Sequence, residues 1–130
     1  MFNKTGIVKT TGTAPVQILF NVDNQMSVSI KVNKNTTGYV TENGRKILKA
    51  GTPLSGDIEN RATAFTNVGE NAPAVGILLH DVDITDTNAN ASLLIWGFVN
   101  LNRLGTATAA LITSAVKTSL NGKVYFLKDN

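Results

Sequence analysis

Two apolar runs, residues 75–79 and 93–99, flank a polar segment, residues 81–90, that holds three aspartates, two asparagines and neither arginine nor lysine. A strand buried on both faces has no polar alternation and reads as a continuous apolar run. Asp and Asn at its ends supply local turn hydrogen bonds that stop it. The spacing therefore predicts two buried strands joined by an exposed loop. This block carries no recognisable reaction chemistry; it reads as scaffold.

The first half of the chain is dominated by Thr, Val, Ile and Asn, a composition of strands and turns. Residues 16–20 and 26–32 are candidate strands, the second apolar at Met26, Val28, Ile30 and Val32 as one dry face requires. Residues 22–25 suit a hairpin turn between them. A further turn signal spans 35–38, and Asn43-Gly44 is the pair favoured in tight hairpins, since both residues tolerate positive φ. Around Pro53 the chain meets a strand edge or a new subdomain, because proline donates no ladder hydrogen bond. Residues 62–65 read as a short strand before a loop at 68–73. After Gly105 an alanine-rich stretch, 106–120, predicts one helix with Leu104, Ala107, Leu111 and Ala115 on one face, ended by Asn121-Gly122. Residues 123–127 form a closing strand. The expected class is mainly β with one short helix.

With 130 residues the chain is long enough for one domain with its own core. It has no cysteine, which excludes disulfides and thiolate metal sites. The first residues lack the apolar core of a signal peptide, and no run reaches the roughly 18 apolar residues that span a bilayer. The reading is a soluble protein made in the cytoplasm, with no membrane partner. Charge is unevenly spread. Residues 1–49 carry seven Lys/Arg against Asp23 and Glu42; residues 50–95 carry Arg61 against six carboxylates; residues 96–130 carry four cations against Asp129. A basic arm followed by an acidic body points to self-association or to docking on an acidic protein surface. Nucleic acid would call for denser Lys/Arg clusters interleaved with aromatics, so none is expected as a partner. The change of sign places the best internal boundary at 49/50.

Candidate chemistry is sparse. Asp81, Asp83, Asp86, Asn88 and Asn90 invite a calcium reading, but a loop opened at Asp81 has Asp86 where an EF-hand needs glycine and Ser92 where it needs glutamate. A solvated turn held by Asx hydrogen bonds is the better reading, with no metal. His80, the single histidine, has no nucleophile motif to complete a catalytic set. It reads as a hydrogen-bonding group at a strand end or across a subunit contact. No glycine-rich phosphate or dinucleotide motif occurs, and no cofactor is expected. Trp96, among Leu93, Leu94, Ile95 and Phe98, is a packing or interface residue by default. No catalytic residue is assigned, and the chain reads as a non-enzyme.

From about Thr52 onward an ordered set of elements carries a resemblance: Thr52-Pro53-Leu54, then a polar segment, then Ala74-Val75-Gly76-Ile77-Leu78. A strand with Gly97 follows, then a short helix near 112–120 and the closing Gly122-Lys123-Val124-Tyr125-Phe126-Leu127. In this order they resemble the lambda-type head decoration proteins of tailed bacteriophages. The longer runs from Gly76 to Asp83 and from Gly97 to Leu101 are similar to phage head fibre proteins. The resemblance covers roughly the last 80 residues. It implies a compact β-tulip-like decoration domain over residues 50–130, preceded by a basic β-rich arm or subdomain over residues 1–49 that docks on the capsid. It also implies a homotrimer on the outer capsid surface that cements the major capsid protein against internal pressure. On that basis Lys4, Thr5, Gly6, Ile7, Val8 and Lys9 are candidate capsid contacts. His80, Trp96 and Phe98 are candidates for the trimer interface. The alternative is the base of a head fibre that binds host-surface glycans or proteins. Deleting residues 2–20 is then expected to abolish capsid binding and leave residues 52–127 folded.

Overall fold

The computed structural model describes residues 17–19 and 25–128. Among them, nine strands and two short α-helices follow one another as β1 (Met26–Val32), β2 (Val40–Glu42), β3 (Arg45–Leu48), β4 (Pro53–Ser55), β5 (Thr66–Asn67), β6 (Gly76–Leu78), β7 (Val82–Asp83), β8 (Ala89–Asn100), α1 (Thr106–Ala109), α2 (Ser114–Ser119) and β9 (Val124–Leu127). The fold is mainly β. One sheet has the order β1-β8-β6-β4-β5, with β9 joined to β8; a smaller sheet has the order β2-β3-β7. All pairs are antiparallel except β8 with β9.

The two apolar runs do become strands, paired to each other where both are buried, through Ile77 opposite Leu94 and Leu78 opposite Leu93. Beyond that point the second run is not buried throughout, with Trp96 exposed and Ile95 and Phe98 half-buried. Neighbours in sequence point to opposite faces, as the two-residue period requires. Ile77 and Leu94 enter a core covered by Leu104, Ile112, Val116 and Leu120. Leu78 and Leu93 enter a second core with Ile30, Val32, Leu48, Leu54, Phe65 and Ile84. A sheet covered on both sides needs the unbroken apolar run that the sequence displays. The segment between the runs is not all loop, however: Val82 and Asp83 pair with Leu48 and Ile47 as the edge of the smaller sheet. β8 also begins earlier than the apolar run, at Ala89, because its polar first residues complete a seven-residue ladder with β1.

Midway along β8 the register steps from Met26 opposite Trp96 to Ser27 opposite Leu94, which leaves Ile95 as an extra residue. Such a bulge reverses which residues face inward. Before it Leu94 faces the helical core; after it Val99 does.

Three further sequence expectations are corrected. Among the described residues, 17–19 and 26–32 do not pair with each other: Leu19 bridges Val99, and β1 pairs with the preceding part of β8, both antiparallel. Residues 16, 20 and 22–24 of the expected hairpin lie outside the described residues. Two segments antiparallel to one strand run parallel to each other, so the long strand β8 has taken the partnership that the turn signal proposed. The single helix is two. Thr113 is extended (φ −85°, ψ 173°) and its hydroxyl accepts from the Val116 amide, which caps α2 and separates it from α1. Threonine favours caps over helix interiors because its oxygen competes for backbone donors. The buried face is a different one. Leu104, Thr108, Ile112, Val116 and Leu120 are buried, while Ala107, Leu111 and Ala115 are exposed. A face carrying Leu104, Ile112, Val116 and Leu120 removes more apolar surface from water than one carrying Leu104, Leu111 and two alanines, and it sets the orientation.

Strand pairing crosses the 49/50 position. β1 pairs with β8, β3 pairs with β7, and Ile30, Val32 and Leu48 share a core with Leu54 and Leu93. At 42–45 the structure has the expected hairpin: β2 and β3 are joined by Asn43 (φ 53°) and Gly44 (φ 76°), both left-handed.

Candidate functional site

Beyond the bulge, β8 and β9 run parallel with Gly97 opposite Val124, Phe98 opposite Tyr125 and Val99 opposite Phe126. Val99 and Val124 turn into the helical core. Strand alternation then sends Phe98 and Tyr125 to the opposite face. There the two rings stack with centroids 5.6 Å apart and planes 21° from parallel. Trp96 meets Phe98 edge-on at 6.1 Å. Met26, directly opposite Trp96, and Leu127, two residues beyond Tyr125, extend the same face. Met26 is 57% exposed, Trp96 42%, Tyr125 45% and Leu127 38%. An apolar and aromatic cluster left open on rigid strands is the surface type that marks protein contacts. Along its other side β9 has no strand among those described, which leaves an edge able to accept an added strand.

Of the residues singled out in the sequence, Trp96 and Phe98 come together on this face. His80 does not. It is exposed beside Ser92, whose carbonyl accepts from the Leu79 amide. Ser92 lies four residues before Trp96, about 13 Å along the strand. Residues 4–9, the candidate capsid contacts, lie outside the described residues. Met26, Tyr125 and Leu127 were missed. Tyr125 and Leu127 alternate in the closing strand, which is the available signal, but nothing local says that this strand pairs in parallel with Phe98.

The second notable surface is a seam of opposite charge. The Arg45 guanidinium donates from Nε to Asp83 at 2.8 Å and from Nη2 to Asp86 at 2.9 Å. Lys49 Nζ lies 2.8 Å from Asp81 and 3.3 Å from Glu42. These contacts raise the pKa of Arg45, chiefly through Asp83, and that of Lys49, chiefly through Asp81. The Arg45 hydrogen bond, helped by donors from Thr85, holds the Asp83 carboxyl down at about 2. Asp81 also accepts from the Ala50 amide at 2.7 Å, and Asn88 accepts from the Lys34 amide at 3.0 Å. The acidic segment that invited a calcium reading is thus tied to the cationic strand beside it, with an Asx turn from the Thr85 amide to Asp83. Part of the charge asymmetry along the sequence is neutralised within the chain.

Comparison with models of known protein families and with curated proteins returns no match for this chain. Chemically, this geometry offers association: an aromatic face, a strand edge and an ion-paired flank.

Proposed function

We propose that this protein is a structural virion protein that binds the outer surface of a phage capsid as a homotrimer and cements the head. The observation that carries the reading is the exposed Trp96–Phe98–Tyr125 cluster on the paired strands β8 and β9. Aromatic residues give large contact area at low entropic cost and dominate interface energetics. The ordered resemblance from Thr52 to Leu127 supplies the biological setting, with the major capsid protein as partner. A cementing protein works by stiffness and repetition. Many modest contacts around a shell become effectively permanent through avidity, and a strand edge gives affinity without a demanding sequence code.

In this reading the aromatic face closes the trimer through Trp96 and Phe98. The N-terminal residues, with Lys4 and Lys9, reach the capsid. Light scattering on the full chain is expected to give a mass near three chains, or a monomer that trimerises on shells. Replacing both Trp96 and Tyr125 by serine is expected to abolish self-association while the chain stays folded, since both side chains are partly exposed and neither belongs to the two cores. A stable dimer in solution and on particles overturns the reading.

Capsid docking is tested by truncation and co-sedimentation with empty expanded shells. The cut has to stop before residue 17. Ile18 and Leu19 are 1% and 2% exposed in the helical core, so deleting residues 2–20 would damage the fold along with any docking segment. Deleting residues 2–16 is expected to weaken shell binding greatly while residues 25–128 keep their thermal transition. Full-affinity binding by that variant would place the contact on the body and favour an outward-facing, adhesive role for the first residues.

A further inference from the structure

Where β1 and β8 pair, the sheet carries a depression of about 560 Å³. Its floor is two cross-strand pairs, Ser29 opposite Ser92 and Lys31 opposite Asn90. The loop bearing Arg61 walls the β1 side, held there by the Phe65 amide donating to the Lys31 carbonyl. His80 walls the other side, held by the Leu79 amide donating to Ser92. Lys31, Arg61 and His80 therefore converge on one concavity together with two hydroxyls and a side-chain amide.

Among the described residues none of these three cationic or protonatable groups has an ion-pair partner. Arg61 makes a long 3.5 Å contact to the Ile58 carbonyl and nothing stronger. This contrasts with Arg45 and Lys49, each of which holds two carboxylates. Asp81 also lines the depression, but its oxygens are already engaged by Lys49 at 2.8 Å and by the Ala50 amide at 2.7 Å. A concave surface that gathers positive charge and leaves it unanswered attracts anions and raises their local concentration. Guanidinium and ammonium donors beside hydroxyls and an amide match the lone pairs of a carboxylate or phosphate.

We infer that this depression is an oxyanion-binding site, taking a carboxylate or phosphate group between Lys31 and Arg61, with His80, Ser92 and Asn90 completing the hydrogen bonds. It is separate from the aromatic face and independent of the capsid reading.

The test is an NMR titration of the isotope-labelled full chain with sodium phosphate and, separately, with N-acetylglutamate, at constant ionic strength with sodium chloride as control. Saturable amide shifts are expected, confined to the neighbourhood of Lys31, Arg61, His80 and Ser92. The double variant Lys31→Gln, Arg61→Gln is expected to bind about tenfold or more weakly, the scale of a lost charge-assisted hydrogen bond. Its melting temperature should be unchanged, because both side chains are exposed. Tighter binding of phosphate would identify a phosphate-bearing ligand; tighter binding of N-acetylglutamate would identify an acidic side chain. Failure of both anions to saturate, equal shifts with chloride, or undiminished binding by the variant overturns the assignment.

Discussion

At the Arg45 guanidinium two carboxylates meet, and the closer, Asp83, is the residue whose titration reports the seam. Its pKa falls from 3.8 to about 2 in the folded chain, first through Arg45 and then through Thr85. A depressed folded value means that the carboxylate contributes stability above its unfolded pKa and loses it as pH falls toward about 2. Carboxyl NMR titration is expected to give an Asp83 midpoint near that value, and Arg45→Gln should return it toward the ordinary range. An ordinary midpoint in the unaltered chain would mean that the pair is open in solution. Gly76 tests packing at the same scale. A Cβ there would lie 2.6 Å from Leu93 Cγ and 2.7 Å from the Leu94 carbonyl oxygen, where β6 is buried throughout. Backbone cannot move aside as a side-chain tip can. Gly76→Ala should cost about 1–3 kcal/mol, the usual range for overpacking, read as a lower urea midpoint at constant slope.

Elements divide by how local their determinants are. The hairpin at Asn43-Gly44 is encoded by two adjacent residues and forms as expected. Nothing lies within 4 Å of a Cβ added to Gly44, so its requirement is purely one of backbone angle. The helical region is encoded less locally. Composition alone favours one helix over 106–120, yet the Thr113 hydroxyl caps a second start. Thr113→Ala removes that acceptor and should cost about 1 kcal/mol, as N-cap losses do. Thermal unfolding of the variant measures it, and Thr113→Ser should retain most of the stability. Residues 17–19 show the limit of pattern reading. Their apolar character was visible, but an antiparallel partner 80 residues downstream outcompeted the nearby turn.

For the whole molecule, the distribution of charge and of exposed apolar surface decides what it can join. Arg45 and Lys49 are neutralised internally, while the aromatic face carries no charged residue among Met26, Trp96, Phe98, Tyr125 and Leu127. Self-association through that face should therefore be nearly independent of salt, with light scattering giving the same mass at low and high ionic strength. Capsid association steered by Lys4 and Lys9 should behave oppositely. Lys4→Glu with Lys9→Glu is expected to slow binding and alter its salt dependence more than its dissociation rate. By itself the sequence determined the β-rich class, the two apolar strands and the Asn-Gly hairpin. Each depends on residues close together in the chain. Tertiary structure alone decided that Tyr125 stacks on Phe98, that the acidic segment closes against Arg45 and Lys49, and that Lys31, Arg61 and His80 share one depression. Those partners lie 19 to 49 residues apart along the chain, and only the strand register, with the bulge at Ile95, chooses which distant residues share a face.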